Sequence, residues 1–307
     1  AKINAEVAYV TQGFSWQASY NLVAPEKGDL VDIVGWITMQ NDSGSGFQNA
    51  KIKLMAGDVN KVQSLHSPIS KRGFPMIAEM AMDAPPVVSE KAFDEFHLYT
   101  LANRVTLRDK ETKQVEFIRA TGVKADRLYI YDGAVLSGWR VGMSVGADAG
   151  YGTTSHKKVN VYREFKNSEA NQLGVPLPKG RVRFYSQDDD RQLEFVGENN
   201  IEHTPKEELV RVFIGDSFDL VGERKQTDFQ LDEVNHVVEE TFDVTLRNRK
   251  KEAVEIRVVE YLFRWANWSI VEKSQEFQKT DAQSIAFRVS LKPDEEKVVT
   301  YKVRYTW

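Results

Sequence analysis

Residues 299–307 read VTYKVRYTW, and the alternation in this stretch decides the fold class. Every odd position carries an apolar side chain, and every even position carries Thr, Lys or Arg. Successive side chains of a β-strand point to opposite faces of a sheet. Residues 299–307 are therefore predicted to form a strand with one buried face and one hydrated face.

The same period of two recurs along the chain, which predicts an all-β protein. Phe242, Val244 and Leu246 alternate with polar residues, and so do Val182 and Phe184. In residues 32–39 both faces are fairly apolar, which is typical of a strand inside a sheet. The composition agrees, because the chain has 35 valines and 18 leucines, and valine suits a strand better than a helix.

Bulk composition excludes several classes of protein. The 307 residues carry a net charge of −4 and no basic stripe, so no nucleic-acid partner is expected. The chain has no cysteine, which removes disulfides, thiolate catalysis and cysteine metal sites. The longest apolar stretch, residues 30–39, is interrupted by Asp32 and is too short to cross a bilayer, so no transmembrane segment is predicted.

Chain length and the spacing of turns predict two or three consecutive immunoglobulin-like β-sandwich modules. Their predicted boundaries are 1–131, 132–231 and 232–307. These modules would be held together by sheet packing, without the inter-sheet disulfide of antibody domains.

A weak internal repeat supports this division. Three strands end in an asparagine within a polar turn, at Asn41, Asn167 and Asn248. Further along the chain, a charged turn opens another strand in each case, at residues 110–113, 206–208 and 294–297. The repeat predicts that each asparagine turn has the same structural role.

The first module is predicted to contain a long insertion at residues 58–92. The path from its asparagine turn to its charged turn is longer than in the other two modules, and four of the six methionines lie at or near this segment. Loops of this length commonly act as lids, binding loops or linkers. Within it, Phe74 and Met76 are candidates for a binding surface, while covering a sheet edge and running free are the alternatives.

No local motif for catalysis, metal or cofactor binding is predicted. Residues 142–146 (GMSVG) match the serine nucleophile pattern G-x-S-x-G, but the glycine-rich residues that follow are a poor start for the helix that this motif needs. Residues 188–190, three aspartates, are interpreted as a hydrated turn because no glutamate follows at calcium-loop spacing. No two histidines have metal-ligand spacing; the five are His66, His97, His156, His203 and His236.

Trp265 is a further candidate for a binding surface, beside Phe74 and Met76. It lies in the most aromatic spot of the sequence, three residues before Trp268. Trp268 begins an alternating run and is predicted to face the core, whereas Trp265 is predicted to be exposed. An exposed indole ring can stack on a sugar ring or pack against a protein partner.

Several stretches resemble the bacterial mucoidy-inhibitor-like family, which is catalogued as a domain of unknown function. The resemblance is most specific in residues 9–20 (YVTQGFSWQASY) and 49–57 (NAKIKLMAG). Further matching residues are 35–38 with Asn41, 98–101, 176–180, 221–224 and 267–268. The resemblance implies the C-terminal part of a longer envelope protein, periplasmic or secreted, whose leader is absent from this sequence. It supplies no catalytic residues.

Three hypotheses about function follow. The first is a binding or scaffolding β-sandwich protein of the bacterial envelope, whose partner is a protein or a polysaccharide. The second is a hydrolase or carbohydrate-active enzyme with a dispersed site, although the residues favour a protein that is not an enzyme. The third is a subunit of an envelope assembly that contacts partners, including further copies of itself, through strand edges or residues 58–92.

Overall fold

The computed structural model describes residues 3, 5–25, 28–57, 88–136, 146–188, 190 and 192–307. These residues form an all-β structure with one short 3₁₀ turn at Glu169–Asn171 and no α-helix in the ranges given. The strands are β1 Phe14–Pro25, β2 Leu30–Asn41, β3 Phe47–Ala50, β4 Lys53–Ala56, β5 Val88–Phe93, β6 Phe96–Leu101, β7 Val105–Leu107, β8 Glu111–Lys124, β9 Asp126–Tyr131, β10 Lys158–Lys166, β11 Gly180–Gln187, β12 Leu193–Ile201, β13 Leu209–Asp232, β14 Val237–Asn248, β15 Val254–Tyr261, β16 Asn267–Lys273, β17 Phe277–Asp281, β18 Ser284–Leu291 and β19 Glu296–Thr306.

The chain divides into two compact units, each built from two stretches of sequence. The first unit contains residues 1–124 and 165–210, and the second contains residues 125–164 and 211–307. This division differs from the predicted consecutive modules 1–131, 132–231 and 232–307. The modules stay a prediction. Both β10 and β13 begin in one unit and end in the other.

The described residues of the first unit form three sheets. A five-stranded sheet has the order β12-β11-β1-β2-β8, in which β1 and β11 are parallel and the other pairs are antiparallel. A two-stranded sheet pairs β3 with β7, and a three-stranded sheet has the order β4-β6-β5. The buried face of β1 carries Ala18, Tyr20, Leu22 and Ala24 at every second position. The core of this unit thus follows from strand alternation.

The second unit contains one mixed sheet of nine strands. Its order is β16-β19-β14-β13-β10-β9-β15-β18-β17. The pair β9 and β15 is parallel, with Ile256 opposite Tyr129 and Val258 opposite Tyr131. Their buried side chains join those of β14, β18 and β19 in one apolar core. Parallel pairing places the carboxyl ends of β9 and β15 at the same end of the sheet.

The predicted alternation is confirmed at the level of individual strands. In β19 the side chains from Val299 to Tyr305 are buried at odd positions, and those of β14 are buried at Phe242, Val244 and Leu246. The strand β2 lies between β1 and β8, as its two apolar faces predict. Trp307 departs from the pattern, because it follows the end of β19 and is 44% exposed.

Each asparagine turn connects the end of one strand to the turn before another strand through hydrogen bonds of a buried asparagine side chain. We call these turns the asparagine corners, at Asn41, Asn167 and Asn248. Asn41 is fully buried, and its Nδ2 donates hydrogen bonds to the carbonyl oxygens of Ser45 (2.8 Å) and Arg108 (2.9 Å). Its Oδ1 accepts from the N–H of Ser43 at 3.1 Å. The carboxylate of Glu111 accepts from the N–H of Arg108 at 2.6 Å. One side chain therefore joins the end of β2 to the turn that precedes β8.

Asn248 makes the same set of bonds at the end of β14. Its Nδ2 donates to the carbonyls of Glu252 (2.8 Å) and Lys292 (2.9 Å), and its Oδ1 accepts from the N–H of Lys250 at 2.9 Å. The carboxylate of Glu295 accepts from the N–H of Lys292 at 2.5 Å. The four bonds described for the Asn41 corner each have an equivalent here, at the same sequence offset from the asparagine or from the glutamate.

The third corner, at Asn167, keeps the core of this arrangement. Nδ2 of Asn167 donates to the carbonyls of Val175 (2.8 Å) and Pro205 (2.9 Å). Within the charged turns one residue adopts a left-handed backbone in all three corners, at Lys110 (φ 58°), Glu207 (φ 69°) and Asp294 (φ 57°). The three predicted asparagine turns thus share one structural role, and each is paired with the charged turn that the sequence predicts.

Part of the predicted insertion at residues 58–92 belongs to a regular strand. Residues 88–92 lie in β5, which pairs with β6 from Val88 opposite Leu101 to Phe93 opposite Phe96. The remaining residues, 58–87, lie outside the described part of the chain, and with them Phe74 and Met76.

Candidate ligand-binding surface

Two indole rings stack at one end of the nine-stranded sheet. The rings of Trp265 and Trp307 have centroids 4.0 Å apart and planes within 5°. Trp265 is half-buried and Trp307 is exposed. The imidazole ring of His236 contacts the ring of Trp307, with 5.5 Å between the ring centroids. We call these three residues the aromatic shelf. An exposed aromatic cluster of this kind marks an interaction surface more strongly than a single apolar residue does.

Strand pairing brings the shelf together from three distant parts of the sequence. Trp307 follows β19, and Trp265 comes two residues before β16, which pairs with β19 from Asn267 opposite Thr306. His236 lies in the turn between β13 and β14 with a left-handed backbone (φ 55°), and its carbonyl accepts from the N–H of Trp307 at 3.2 Å. The shelf is therefore fixed by backbone pairing.

A buried ion pair includes Arg264, the residue that precedes Trp265. Arg264 and Glu240 are fully buried side chains whose Nε and Oε2 atoms are 2.6 Å apart. Arg264 also donates to the carbonyls of Gly146 (3.0 Å), Asp148 (2.8 Å) and Tyr151 (3.2 Å). Gly146 packs so closely that a Cβ atom there would lie 2.2 Å from the Trp265 ring. Arg264 thus holds the loop that packs against Trp265.

A second buried ion pair, between a residue of β13 and a residue of β15, also bonds to this loop. Nε of Arg224 is 2.8 Å from Oε2 of Glu260, and both side chains are fully buried. Arg224 donates to the carbonyl of Gly152 at 2.7 Å, and the hydroxyl of Tyr301 donates to Glu260 at 2.6 Å. Burial, followed by the charge of Glu260, raises the pKa of Tyr301, which stays a neutral donor. The guanidinium of Arg224 also lies over the ring of Phe242, 3.7 Å from its centroid.

These two pairs position other groups instead of performing chemistry. Each charge is neutralised by its partner and has no exposed surface, so a ligand does not reach it. A buried ion pair often gives no more net stability than apolar residues of similar volume, but removing one partner leaves an uncompensated buried charge. We therefore assign them to holding residues 146–152 against the sheet.

A perturbed acid lies at the carboxyl ends of the parallel strands β9 and β15. Asp132 follows β9, and its Oδ2 accepts from the hydroxyl of Tyr261, the last residue of β15, at 3.1 Å. Burial raises the pKa of Asp132, and burial together with the Asp132 charge raises the pKa of Tyr261 to about 12. Such shifts are frequent at functional sites but also occur in structural pairs.

In the first unit, His97 is held by a carboxylate. Its Nδ1 lies 2.7 Å from Oε1 of Glu90, across the β5–β6 hairpin. Glu90 also lines a cavity of about 340 Å³, together with Tyr99, Phe117 and Arg119. A second cavity of about 310 Å³ is lined mainly by apolar residues around Trp16. The described residues that line the first cavity include no serine, threonine or cysteine that could act as a nucleophile.

Some of the candidate residues named from the sequence lie in the described part of the chain, and others lie outside it. Trp265 belongs to the shelf, while Trp268 is half-buried against the core and donates from Nε1 to the carbonyl of Ala282 at 2.9 Å. Of residues 142–146 only Gly146 is described. The chain has no group of three metal-ligating side chains among its described residues. In that same part of the chain no helix has the length and apolar character to cross a membrane.

Sequence reasoning missed most of this arrangement. His236, Trp307, Glu240 and Glu260 were not singled out as site residues. Two of them carry a signal, because Glu240 and Glu260 occupy positions in β14 and β15 that alternation assigns to the buried face. A carboxylate at a core position predicts a buried partner, since an unpaired charge is costly there.

The described residues define an all-β protein with a partly exposed cluster of aromatic rings, and they contain no catalytic constellation. The model of the family described as Domain of unknown function (DUF4139) matches residues 5–307. The chain therefore belongs to the DUF4139 family, which is commonly associated with mucoidy inhibitor A-like proteins. No curated protein and no solved structure matches the chain.

Proposed function

We propose that the chain is a non-catalytic binding module of the bacterial envelope whose aromatic shelf binds a polysaccharide. The stacked, partly exposed indole rings of Trp265 and Trp307 carry this proposal. The C–H faces of a sugar ring are flat and apolar, and they match an indole ring in size. Polar groups at the rim, such as His236 and Asn267, can accept or donate hydrogen bonds to hydroxyl groups.

The rigidity of the shelf supports a binding role. Anchors that are already fixed lose little conformational entropy when a ligand arrives. Trp265 is fixed by stacking on Trp307 and by contact with Gly146, and Gly146 is in turn fixed by Arg264. The buried ion pairs therefore support the shelf without contacting the ligand.

The type of fold and the cellular location of the protein belong to the same proposal. We infer immunoglobulin-like sandwich modules and a periplasmic or secreted location. The strand alternation supports the modules, and the association of the family with mucoidy supports the envelope, because mucoidy is a surface polysaccharide phenotype. Fractionation of native cells with an antibody to this chain tests the location, and recovery in the cytoplasm would contradict it.

Titration with purified envelope polysaccharide, followed by tryptophan fluorescence and calorimetry, tests the binding role. We expect Trp307→Ala to weaken binding at least tenfold, because an aromatic anchor of an interface contributes about 2 kcal/mol or more. Phe218→Ala is the matched control, since Phe218 is an exposed aromatic residue (97%) outside the shelf. Equal affinity of the two variants, or binding of a protein but no polysaccharide, would refute the proposal.

The specific observation that favours a second function, hydrolysis, is the His97–Glu90 pair beside a cavity. A carboxylate can orient a histidine that acts as a general base towards water. The test is an assay of the chain and of His97→Gln on a panel of polysaccharide and ester substrates. Turnover that depends on His97 would favour the hydrolase over the binding module.

A further inference from the structure

The five-stranded sheet of the first unit has a free apolar edge. Its edge strand, β12, pairs with β11 on one side and with no strand of the described chain on the other. Leu193, Phe195 and Val196 are exposed on this strand, Phe195 by 57%. A strand edge of this kind presents unpaired N–H and C=O groups and is a template for an additional strand.

An apolar segment of the same unit also has no strand partner among the described residues. Residues 5–12 precede β1, form no strand and make no backbone hydrogen bond with the rest of the described chain. Val7, Tyr9 and Val10 are exposed, and Val10 is fully so. Three large apolar side chains within four residues are thus left in water.

The segment cannot reach the apolar part of β12 within one chain. Phe195 pairs with Tyr185, which pairs with Val23, nine residues after the first residue of β1. This places Phe195 about 30 Å along the sheet from the start of β1, at about 3.3 Å per residue. Residues 7–13 span at most about 25 Å when fully extended. A contact between the segment and Phe195 therefore requires a second copy of the chain.

Charge disfavours the pairing of two β12 strands that is centred on Val196. If two β12 edges paired antiparallel around Val196, Glu194 of each would face Glu198 of the other, and like charges directly opposite each other are destabilising. Residues 7–12 carry no charged side chain. We propose that residues 7–12 of one copy add as a sixth strand to the free edge of β12 in a second copy, so that the chain self-associates.

Sedimentation and light scattering of the 307-residue chain over a wide concentration range test the proposal. Val10→Pro removes a backbone N–H donor from the segment, and Phe195→Asp places a charge on the acceptor edge. We expect each variant to be monomeric, while Phe218→Asp, at an exposed site far from both elements in sequence, associates like the parent chain. Circular dichroism checks that each variant folds, and Leu193→Asp replaces Phe195→Asp if it does not.

Mixing the two monomeric variants gives the decisive result. Val10→Pro keeps an intact β12 edge, and Phe195→Asp keeps an intact segment, so we expect a one-to-one complex of twice the 35.0 kDa mass of one chain. A parent chain that stays monomeric at every concentration overturns the proposal. Association that Val10→Pro leaves unchanged, or a mixture that stays monomeric, overturns it as well. Because Phe195 lies in the first unit, none of these outcomes depends on polysaccharide binding by the shelf.

Discussion

Replacing Asn248 with alanine is expected to destabilise the nine-stranded sheet by about 3 kcal/mol. The side chain is fully buried and makes three good hydrogen bonds, to Glu252, Lys292 and Lys250. A hydrogen bond contributes about 1 kcal/mol net, and a buried carbonyl left without its donor costs about 1–3 kcal/mol. Alanine removes all three bonds and fills none of the vacated space.

The free energy of unfolding is measured by urea denaturation, and hydrogen exchange of β14 and β19 amides shows where the loss occurs. Asn235→Ala is the matched control, because Asn235 lies in an exposed turn and its side chain bonds only to Asp232. A surface change of this kind alters stability by about 0.5 kcal/mol or less. Asn41→Ala should resemble Asn248→Ala, since the two corners share their hydrogen bonds.

Asn248→Asp separates the donor role from the acceptor role. Aspartate keeps the oxygen that accepts from Lys250, but its second oxygen faces the carbonyls of Glu252 and Lys292. We expect a loss at neutral pH as large as that of alanine, relieved in acid when the carboxyl group gains a proton and can donate. If Asn248→Ala is as stable as Asn235→Ala, or Asn248→Asp matches the parent chain at neutral pH, the corner does not stabilise the sheet.

Two further predictions concern charged groups of the second unit. Glu240→Ala should cost about 3–5 kcal/mol because it leaves Arg264 buried without its partner. The double change Glu240→Leu with Arg264→Leu should cost much less than the sum of Glu240→Leu alone and Arg264→Leu alone. A double-mutant cycle by urea unfolding checks this, and additive losses would contradict it. Hydrogen bonding with Lys302 lowers the pKa of Glu239 from its ordinary 4.5, so its carboxylate stabilises the fold above that pH and loses the effect as the pH falls through the lowered value. Unfolding of Glu239→Gln in acid should therefore depend less on pH than that of the parent chain, and an unchanged pH dependence would rule this role out.

The strands and their buried faces could be predicted from the sequence because alternation is a local signal. The strands β2, β14 and β19 bury the residues that their period of two indicates. The sheet order could not be predicted, because the parallel pairing of β9 with β15 joins residues more than a hundred positions apart. Local patterns carry no information on such long-range pairs.

The aromatic shelf was predictable only in part for the same reason. The aromatic surroundings of Trp265 predict a candidate site residue, whereas the alternation of residues 299–307 predicts that Trp307 faces inward. Its exposure follows from where β19 ends, and the stack with Trp265 follows from the pairing of β16 with β19. A site assembled from the ends of three strands leaves no short motif in the sequence.

The loop at residues 146–152 explains why two ion pairs are buried in the second unit. Ion pairs of this kind are often no more stabilising than apolar residues of the same volume, so stability alone does not account for them. Four carbonyl groups of this loop accept hydrogen bonds from Arg224 and Arg264, and the loop forms no strand that could satisfy them. Buried carbonyl groups require donors. The guanidinium groups therefore take the place of a neighbouring strand, and the glutamates orient them beneath the loop that packs on Trp265.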